Sequence, residues 1–356
     1  MTSRSWLLAA DPPIASHDGV LVDLDGVVYI GEQAIGNAVA GLAKVRQAGL
    51  RVVFITNNAS RSPELVAERL RGFGVPADPR DVVTSAQAAA RLVRDRCGVG
   101  ARVLVTGSRA LRDEIDAAGL CAVHGADEQP AAVVQGFDPA LGYPDLAEAA
   151  LAVRSGAFWV ATNEDSTLPD TRGMLPGNGA LVAAVATATG RRPLVAGKPS
   201  RFLFEEALRR AGLRNPIVVG DRPETDVAGA RAAGLTSLLV LSGVTTPAEL
   251  LEAPEQQRPT YLAQDLLGLF DEHPPVRLEV GAARCRDWYA HIDHNRLTLR
   301  GAGDRLDALR ALAACAWQAS DRGLALQSDE ALAVVGESVQ RDDDAKESVE
   351  SSEESA

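Results

Sequence analysis

Short apolar runs alternate with amphipathic helical patterns near the start of this chain: "GVLV" before Asp23, "AVAGLAKVRQAG", "LRVVFI" before Thr56, then "SPELVAERLRGFG". Strand and helix alternating at this pitch predict βαβ units and a mainly parallel sheet. The same grammar returns late, with "SRFLFEEALRRAG", "PIVV" before Gly220, "ETDVAGARAAG" and "TSLLVLSG". Two distant segments, 1–84 and 196–270, therefore read as halves of one α/β sheet. Between them, 85–195 has strands of its own at "ARVLVTG", "AAVVQGF" and "FWVATN" and helices at "SRALRDEIDAAG" and "YPDLAEAALAVRSG". A complete α/β unit inserted into another sheet predicts a cap domain.

At 356 residues the chain is too long for one ordinary core, which predicts two or three domains. Its 46% hydrophobic and 24% charged residues are those of a soluble globular protein. A net charge of -12 argues against nucleic acid as a partner, because phosphate backbones select basic surfaces. Cys97, Cys121, Cys285 and Cys315 lack the spacing of a zinc site or a disulfide framework. The apolar run "WLLAA" is too short for a signal peptide, and no stretch is long enough to span a bilayer. These features predict a cytoplasmic protein with no membrane partner.

In "GVLVDLDGVVYIG" the first strand ends in two carboxylates, Asp23 and Asp25. Burying them is expensive unless a cation, hydrogen bonds or a chemical task compensates. In an open parallel sheet, reactive groups gather beyond the carboxyl ends of the strands. "DLDG" at Asp23, "ITNN" at Thr56, "GKPS" at Lys198 and "VVGDRPETD" at Asp221 all follow apolar runs, so they converge in space. A carboxylate can attack phosphorus, and a second carboxylic acid can protonate the leaving oxygen and later deprotonate water. A hard cation such as Mg²⁺ uses carboxylates, waters and phosphate oxygens as ligands. Asp23, Asp221 and the backbone carbonyl of Asp25 would supply such ligands, with Lys198 and the Thr56 hydroxyl orienting phosphoryl oxygens.

Taken in order, "DLDGVV", "ITNN", "GKPS" and "GDRPETD" resemble the four motifs of haloacid-dehalogenase (HAD) phosphatases. The resemblance spans Gly19 to Gly243 and implies a Rossmann-like core, Mg²⁺ dependence and an aspartyl-phosphate intermediate. It assigns Asp23 as nucleophile and metal ligand, Asp25 as general acid and base, Thr56 and Asn57 as phosphate-binding, Lys198 as the phosphate-orienting cation, Asp221 as metal ligand and Asp226 as a supporting acid. The insert position is similar to that of the 4-nitrophenylphosphatase-like subfamily, whose cap recognises substrate. By that likeness Asn163, Asp165 and Arg172, in a polar loop between a strand and a small-residue helix, meet the leaving group. Similar caps also contribute dimer surfaces. Pro223 departs from the fourth motif, in a first helical turn that tolerates proline.

The segment 276–338 shows two strand-like stretches, "VRLEVG" and "RLTLRG", then the helical pattern "DRLDALRALAACAWQASDRG". With the "RGAG" turn at Arg300–Gly303 it resembles, in reduced form, the GCN5-type acetyltransferases, whose backbone amides at a helix start hold a cofactor pyrophosphate. The stretch is too short for a whole transferase, which predicts a remnant without transferase activity. A tight turn also accounts for "RGAG", and a turn surface for His291 and His294 in "HIDH". The four tryptophans, Trp6, Trp159, Trp288 and Trp317, read as packing residues. From Arg341 to Ala356 the chain carries seven acids and two bases, with no aromatic residue, so 339–356 is expected to be disordered.

The combination with a phosphatase core is similar to mycobacterial-type glycerol 3-phosphate phosphatases, which makes that small phosphorylated metabolite the expected substrate. Phosphoglycolate and pyridoxal phosphate stay open. Two other classes compete: a phosphate-accepting signalling receiver, which would need neither Asp25 nor a cap, and a scaffold whose C-terminal unit binds a partner or coenzyme A.

Overall fold

The computed structural model describes residues 11–170 and 172–336. The acidic tail expectation and Trp6 lie outside the described residues. The chain divides into two compact units. One holds Asp11–Val244 and Gln256–His273, the other Thr245–Glu255 and the described chain from Pro274 to Gly336.

In the first unit a six-stranded parallel sheet runs in the order Tyr261–Ala263, Thr236–Val240, Ile217–Gly220, Gly19–Val22, Arg51–Thr56, Val82–Thr84. The strand Gly19–Val22 is buried along its whole length because helices cover both faces of a parallel sheet. Its two neighbours come from opposite ends of the chain, so the order reverses there. Such a switch point opens a crevice at the carboxyl ends of adjacent strands.

Local signals set the flanking helices. Ser62 accepts from the Leu65 N–H with Pro63 in the first turn, and Thr84 and Gln87 close a capping box ahead of Ser85–Cys97.

The inserted region builds a second parallel sheet, ordered Leu194–Val195, Phe158–Ala161, Ala132–Gln135, Arg102–Thr106, Cys121–Val123. One continuous apolar cluster joins the two sheets, running from Leu21, Val53 and Val218 through Ala86, Ala89 and Phe204 to Val103, Val134 and Val160. The cap's other face packs Trp159 with Ala149, Val153, Val182 and Val185. The stretch read from sequence as a polar loop contains an antiparallel hairpin, Thr167–Asp170 with Gly173–Pro176. Its proline and glycine residues hid that pairing, since both are depleted in strands.

The second unit has four antiparallel strands, Arg277–Glu279, Ala282–Cys285, Trp288–Asp293 and Arg296–Arg300, with helices Arg305–Ser320 and Asp329–Val335. Sequence showed only the outer two strands. "AARC" carries no β-branched residue, and the turns fall at Gly281, Arg286 and His294, two of them non-glycine residues at positive φ. The segment Thr245–Glu255, read from sequence as the end of the core, groups with this unit. Its helix Pro247–Glu252 packs on Arg305–Ser320, and the Trp317 indole N–H donates to the Leu250 carbonyl at 2.8 Å. Trp159, Trp288 and Trp317 are all buried, as packing residues should be. No helix among the described residues is long and apolar enough to cross a membrane.

Candidate active site

Three adjacent strands end in the residues of interest: Gly19–Val22 before Asp23, Arg51–Thr56 in Thr56 itself, and Ile217–Gly220 before Asp221. Asp23 is held in line by its backbone N–H, which donates to the Val219 carbonyl at 2.9 Å. Lys198, buried on the stretch that follows the last cap strand, places its Nζ 2.6 Å from Asp23 Oδ1 and 2.7 Å from Asp226 Oδ1. The other Asp226 oxygen accepts from the Arg222 N–H at 3.1 Å. That bond anchors the π-helical turn Pro223–Val227, opened by the proline that departs from the motif. Asp221 Oδ2 accepts from the Val244 N–H at 2.9 Å.

The carboxylates crowd one another. Single oxygens of Asp23, Asp221 and Asp226 lie within 4.8 Å of each other, all three residues buried. Burial, and then the charges of Asp226 and Asp23, push the Asp221 carboxyl up to about 8. Burial raises Asp226 to about 6 against the pull of Lys198. Burial opposes the Lys198 charge, but Asp226 and Asp23 outweigh it and hold the ammonium above the ordinary lysine range. Lys198 bonds Asp23 and Asp226, and ionising Asp221 beside them adds negative charge that a further cation would offset. Hard oxygen donors this close fit a small divalent cation such as Mg²⁺.

Glycines make this crowding possible. A Cβ on Gly26 would stand 2.2 Å from Asp221 Oδ2, and one on Gly243 1.9 Å from the same atom. Gly26 also sits at φ 84°, a conformation that favours glycine.

Asp25 stands apart from the three-carboxylate cluster. Its side chain is exposed, yet the surrounding crevice raises its carboxyl by desolvation, opposed by the charges of Arg69, Lys198 and Arg61. A carboxyl raised in this way is suited to give up and take back a proton. Thr56 is buried, and its hydroxyl accepts from the Asn58 N–H at 3.1 Å.

The side chain of Asn57 is engaged with protein. Its Oδ1 accepts from the Lys198 N–H at 2.7 Å, and its Nδ2 donates to the Lys198 carbonyl at 3.1 Å. The Asn57 side chain is thus spent on holding the Lys198 backbone. Asn163 also spends its amide internally, donating to the Asn57 carbonyl at 2.8 Å and accepting from the Asp165 N–H at 3.2 Å. Both Asp165 oxygens lie 3.4 Å from Asn57 Nδ2. Asn163 and Asp165 are therefore brought to the site, whereas Arg172 stands exposed at the hairpin turn.

Sequence reasoning missed Arg61, Arg69 and Arg222, whose charges reach Asp25 and Asp165, and the Val244 amide that grips Asp221. A backbone donor carries no residue-type signal. The glycine preceding it, Gly243, was the visible clue.

The C-terminal turn is explained by packing. A Cβ on Gly301 would lie 2.3 Å from the Asp287 carbonyl, so glycine there reflects close backbone approach. His294 occupies the turn between two strands at φ 55°, and His291 bonds the Thr298 hydroxyl across the sheet.

Comparison with known proteins agrees with this geometry. Residues 20–121 match the haloacid dehalogenase-like hydrolase family, residues 195–269 a HAD-hydrolase-like family, and residues 285–336 a GCN5-related N-acetyltransferase-like domain. The chain is 46% identical over 312 residues to D-glycerol 3-phosphate phosphatase of Mycobacterium tuberculosis, covering 85% of this chain and 86% of that protein. A crystal structure of the glycerol phosphate phosphatase of that organism, in complex with magnesium, superposes with a TM-score of 0.83 at 43% identity, covering 92% of this chain and 99% of that one. The p-nitrophenyl phosphatase of Archaeoglobus fulgidus superposes with a TM-score of 0.67 at 33% identity, covering 71% and 98%. With its switch-point carboxylates, buried lysine and inserted cap, the chain belongs to the haloacid dehalogenase-like hydrolases.

Proposed function

We propose that this phosphoric monoester hydrolase cleaves glycerol 3-phosphate to glycerol and phosphate through a phosphorylated Asp23. The observation that carries the reading is the buried meeting of Asp23, Lys198, Asp221 and Asp226, with Asp25 two residues beyond the nucleophile. The likeness to a glycerol 3-phosphate phosphatase over most of both chains supports the substrate.

Lys198, bonded to Asp23 Oδ1, fixes the carboxylate's orientation so that its other oxygen is presented to phosphorus. That oxygen forms the new P–O bond as the glycerol oxygen leaves, and Asp25 delivers a proton to it. Asp25 then takes a proton from water as the water attacks the acyl phosphate, freeing phosphate and restoring Asp23. Lys198 and Thr56 face the phosphoryl oxygens and offset their charge. Asp23, Asp221 and the Asp25 carbonyl would hold Mg²⁺, which would supply positive charge against the crowded carboxylates and the phosphoryl oxygens.

In this reading 85–195 is the cap over a core formed by 1–84 and 196–270, and the cap excludes water from the first step. The partner is a small phosphorylated metabolite in the cytoplasm, with homodimerisation to be read from sedimentation. The C-terminal unit acts without transferase activity, which the packing account of Gly301 supports. Phosphate release from a panel of glycerol 3-phosphate, phosphoglycolate and pyridoxal phosphate, with and without Mg²⁺, tests the reading. Metal-dependent release led by glycerol 3-phosphate is expected. Release from none would overturn it.

A further inference from the structure

Asn57 is the point at which both chain crossings between core and cap meet. Its carbonyl accepts from the Ser85 hydroxyl at 2.7 Å, where the chain leaves the core, and from Asn163 Nδ2 at 2.8 Å. Its side-chain amide grips the Lys198 peptide from both sides, where the chain returns. The fit is tight, because a Cβ on Gly197 would stand 2.5 Å from Asn57 Oδ1 and 2.5 Å from the Thr162 carbonyl. The cap's 163–165 turn is equally constrained: a Cβ on Gly177 would meet the Asp165 carbonyl at 2.3 Å, and one on Gly179 the Glu164 carbonyl at 2.3 Å.

Beside the Asn163 bond to the Asn57 carbonyl, a link between side chains joins that turn to the clasp, from Asn57 Nδ2 to the two Asp165 oxygens at 3.4 Å each. The amide has two hydrogens, one for the Lys198 carbonyl and one for this carboxylate. Turning the amide toward or away from Asp165 therefore turns it against Lys198.

We infer that Asn57 and Asp165 form a positioning pair that registers the cap's substrate turn against the Lys198 backbone, so that the cap's seat and the ammonium's seat are set together. The inference rests on the phosphatase reading. It gives Asp165 a role other than contact with the leaving group, and the two roles differ in what they do to substrates of different size. A residue that binds glycerol hydroxyls affects glycerol 3-phosphate alone. A residue that acts through Asn57 and Lys198 affects every monoester, through kcat.

The test is a double-mutant cycle of Asn57→Ala and Asp165→Ala in the full chain, assayed on glycerol 3-phosphate and on 4-nitrophenyl phosphate, with thermal melts to confirm folding. Displacing Lys198 by about 1 Å costs on the order of 10²-fold, so Asn57→Ala is expected to lose about that in kcat on both substrates. Asp165→Ala is expected to lose about 10-fold in kcat on both, and the double variant no more than Asn57→Ala alone. The swapped pair, Asn57→Asp with Asp165→Asn, removes the like charges that Asn57→Asp alone sets face to face but leaves the Lys198 carbonyl without its donor, so it is expected to recover part of the activity lost in Asn57→Asp. A loss confined to the KM of glycerol 3-phosphate, multiplicative losses in the double variant, or no recovery in the swap would overturn the inference. A wild type that releases no phosphate would instead overturn the phosphatase reading.

Discussion

Both units of this protein bury carboxylates, and they do so on opposite terms. In the C-terminal unit Asp307 is met by Arg310 at 2.5 Å and by Arg286 at 3.6 Å, so cations match the buried charge. In the catalytic unit Asp23, Asp221 and Asp226 crowd within 4.8 Å of one another, and the Lys198 ammonium bonds two of them, Asp23 and Asp226. The first arrangement is complete without a ligand, and the second needs one. Burial of charge alone is poor evidence of function, because matched pairs are bought for structure as well. Excess is the informative part.

The largest expected effect follows from that excess. Asp23→Asn keeps the shape and removes the attacking oxygen, so kcat should fall by about 10³-fold or more. Steady-state phosphate release measures this, and a variant near wild-type activity would erase the distinction between the two sites. The matching change in the other unit is Asp307→Ala. It leaves the buried Arg310 without this carboxylate and should cost about 3 to 5 kcal/mol of stability. Denaturant melts read that loss, while kcat per folded molecule should stay unchanged.

Metal addition sharpens the contrast. At a Mg²⁺ concentration one hundred times its Kd, the catalytic unit should gain about 2.7 kcal/mol. Asp221→Asn should abolish the gain and Asp307→Ala should leave it intact, as followed by thermal melts with and without EDTA.

The smallest effect comes from a matched carboxylate inside the catalytic unit. Burial would raise Glu206, but hydrogen bonds from Arg209 and Arg210 outweigh it and hold the carboxyl below the usual glutamate value. Its contribution to stability is therefore present at neutral pH. It is lost as pH falls below the ordinary glutamate range, about 4.3, through the lower folded value. Glu206→Gln should flatten that acid limb of the stability profile. Both arginines are half-exposed or nearly so, which keeps the effect small.

The catalytic unit was far more legible in sequence than the C-terminal one. Its strands are runs such as "RVVFIT", buried on both faces, and the polar residues that end them belong to the candidate site. Asp23, Thr56 and Asp221 follow from that rule alone, whereas Lys198 comes after a short strand of the cap sheet. The use of the Asn57 side chain did not, because its partners are backbone atoms of Lys198, 141 residues away. The strands Ala282–Cys285 and Trp288–Asp293 stayed hidden because alanine, histidine and aspartate carry little strand signal and the turns between them use arginine and histidine. The companionship of Pro247–Glu252 with the C-terminal helix was likewise invisible, being a long-range packing choice. It bears on design: a chain cut near Asp271 would leave that helix without the partner it packs on.

The central claim is that the excess of buried carboxylate serves covalent phosphoryl transfer to Asp23. The most direct measurement is reductive trapping during turnover of glycerol 3-phosphate with Mg²⁺, using borohydride to convert an aspartyl phosphate to homoserine, followed by peptide mass spectrometry. Homoserine at position 23, absent without substrate, is the predicted result. Sustained turnover with position 23 unmodified, or modification at another carboxylate, would contradict it.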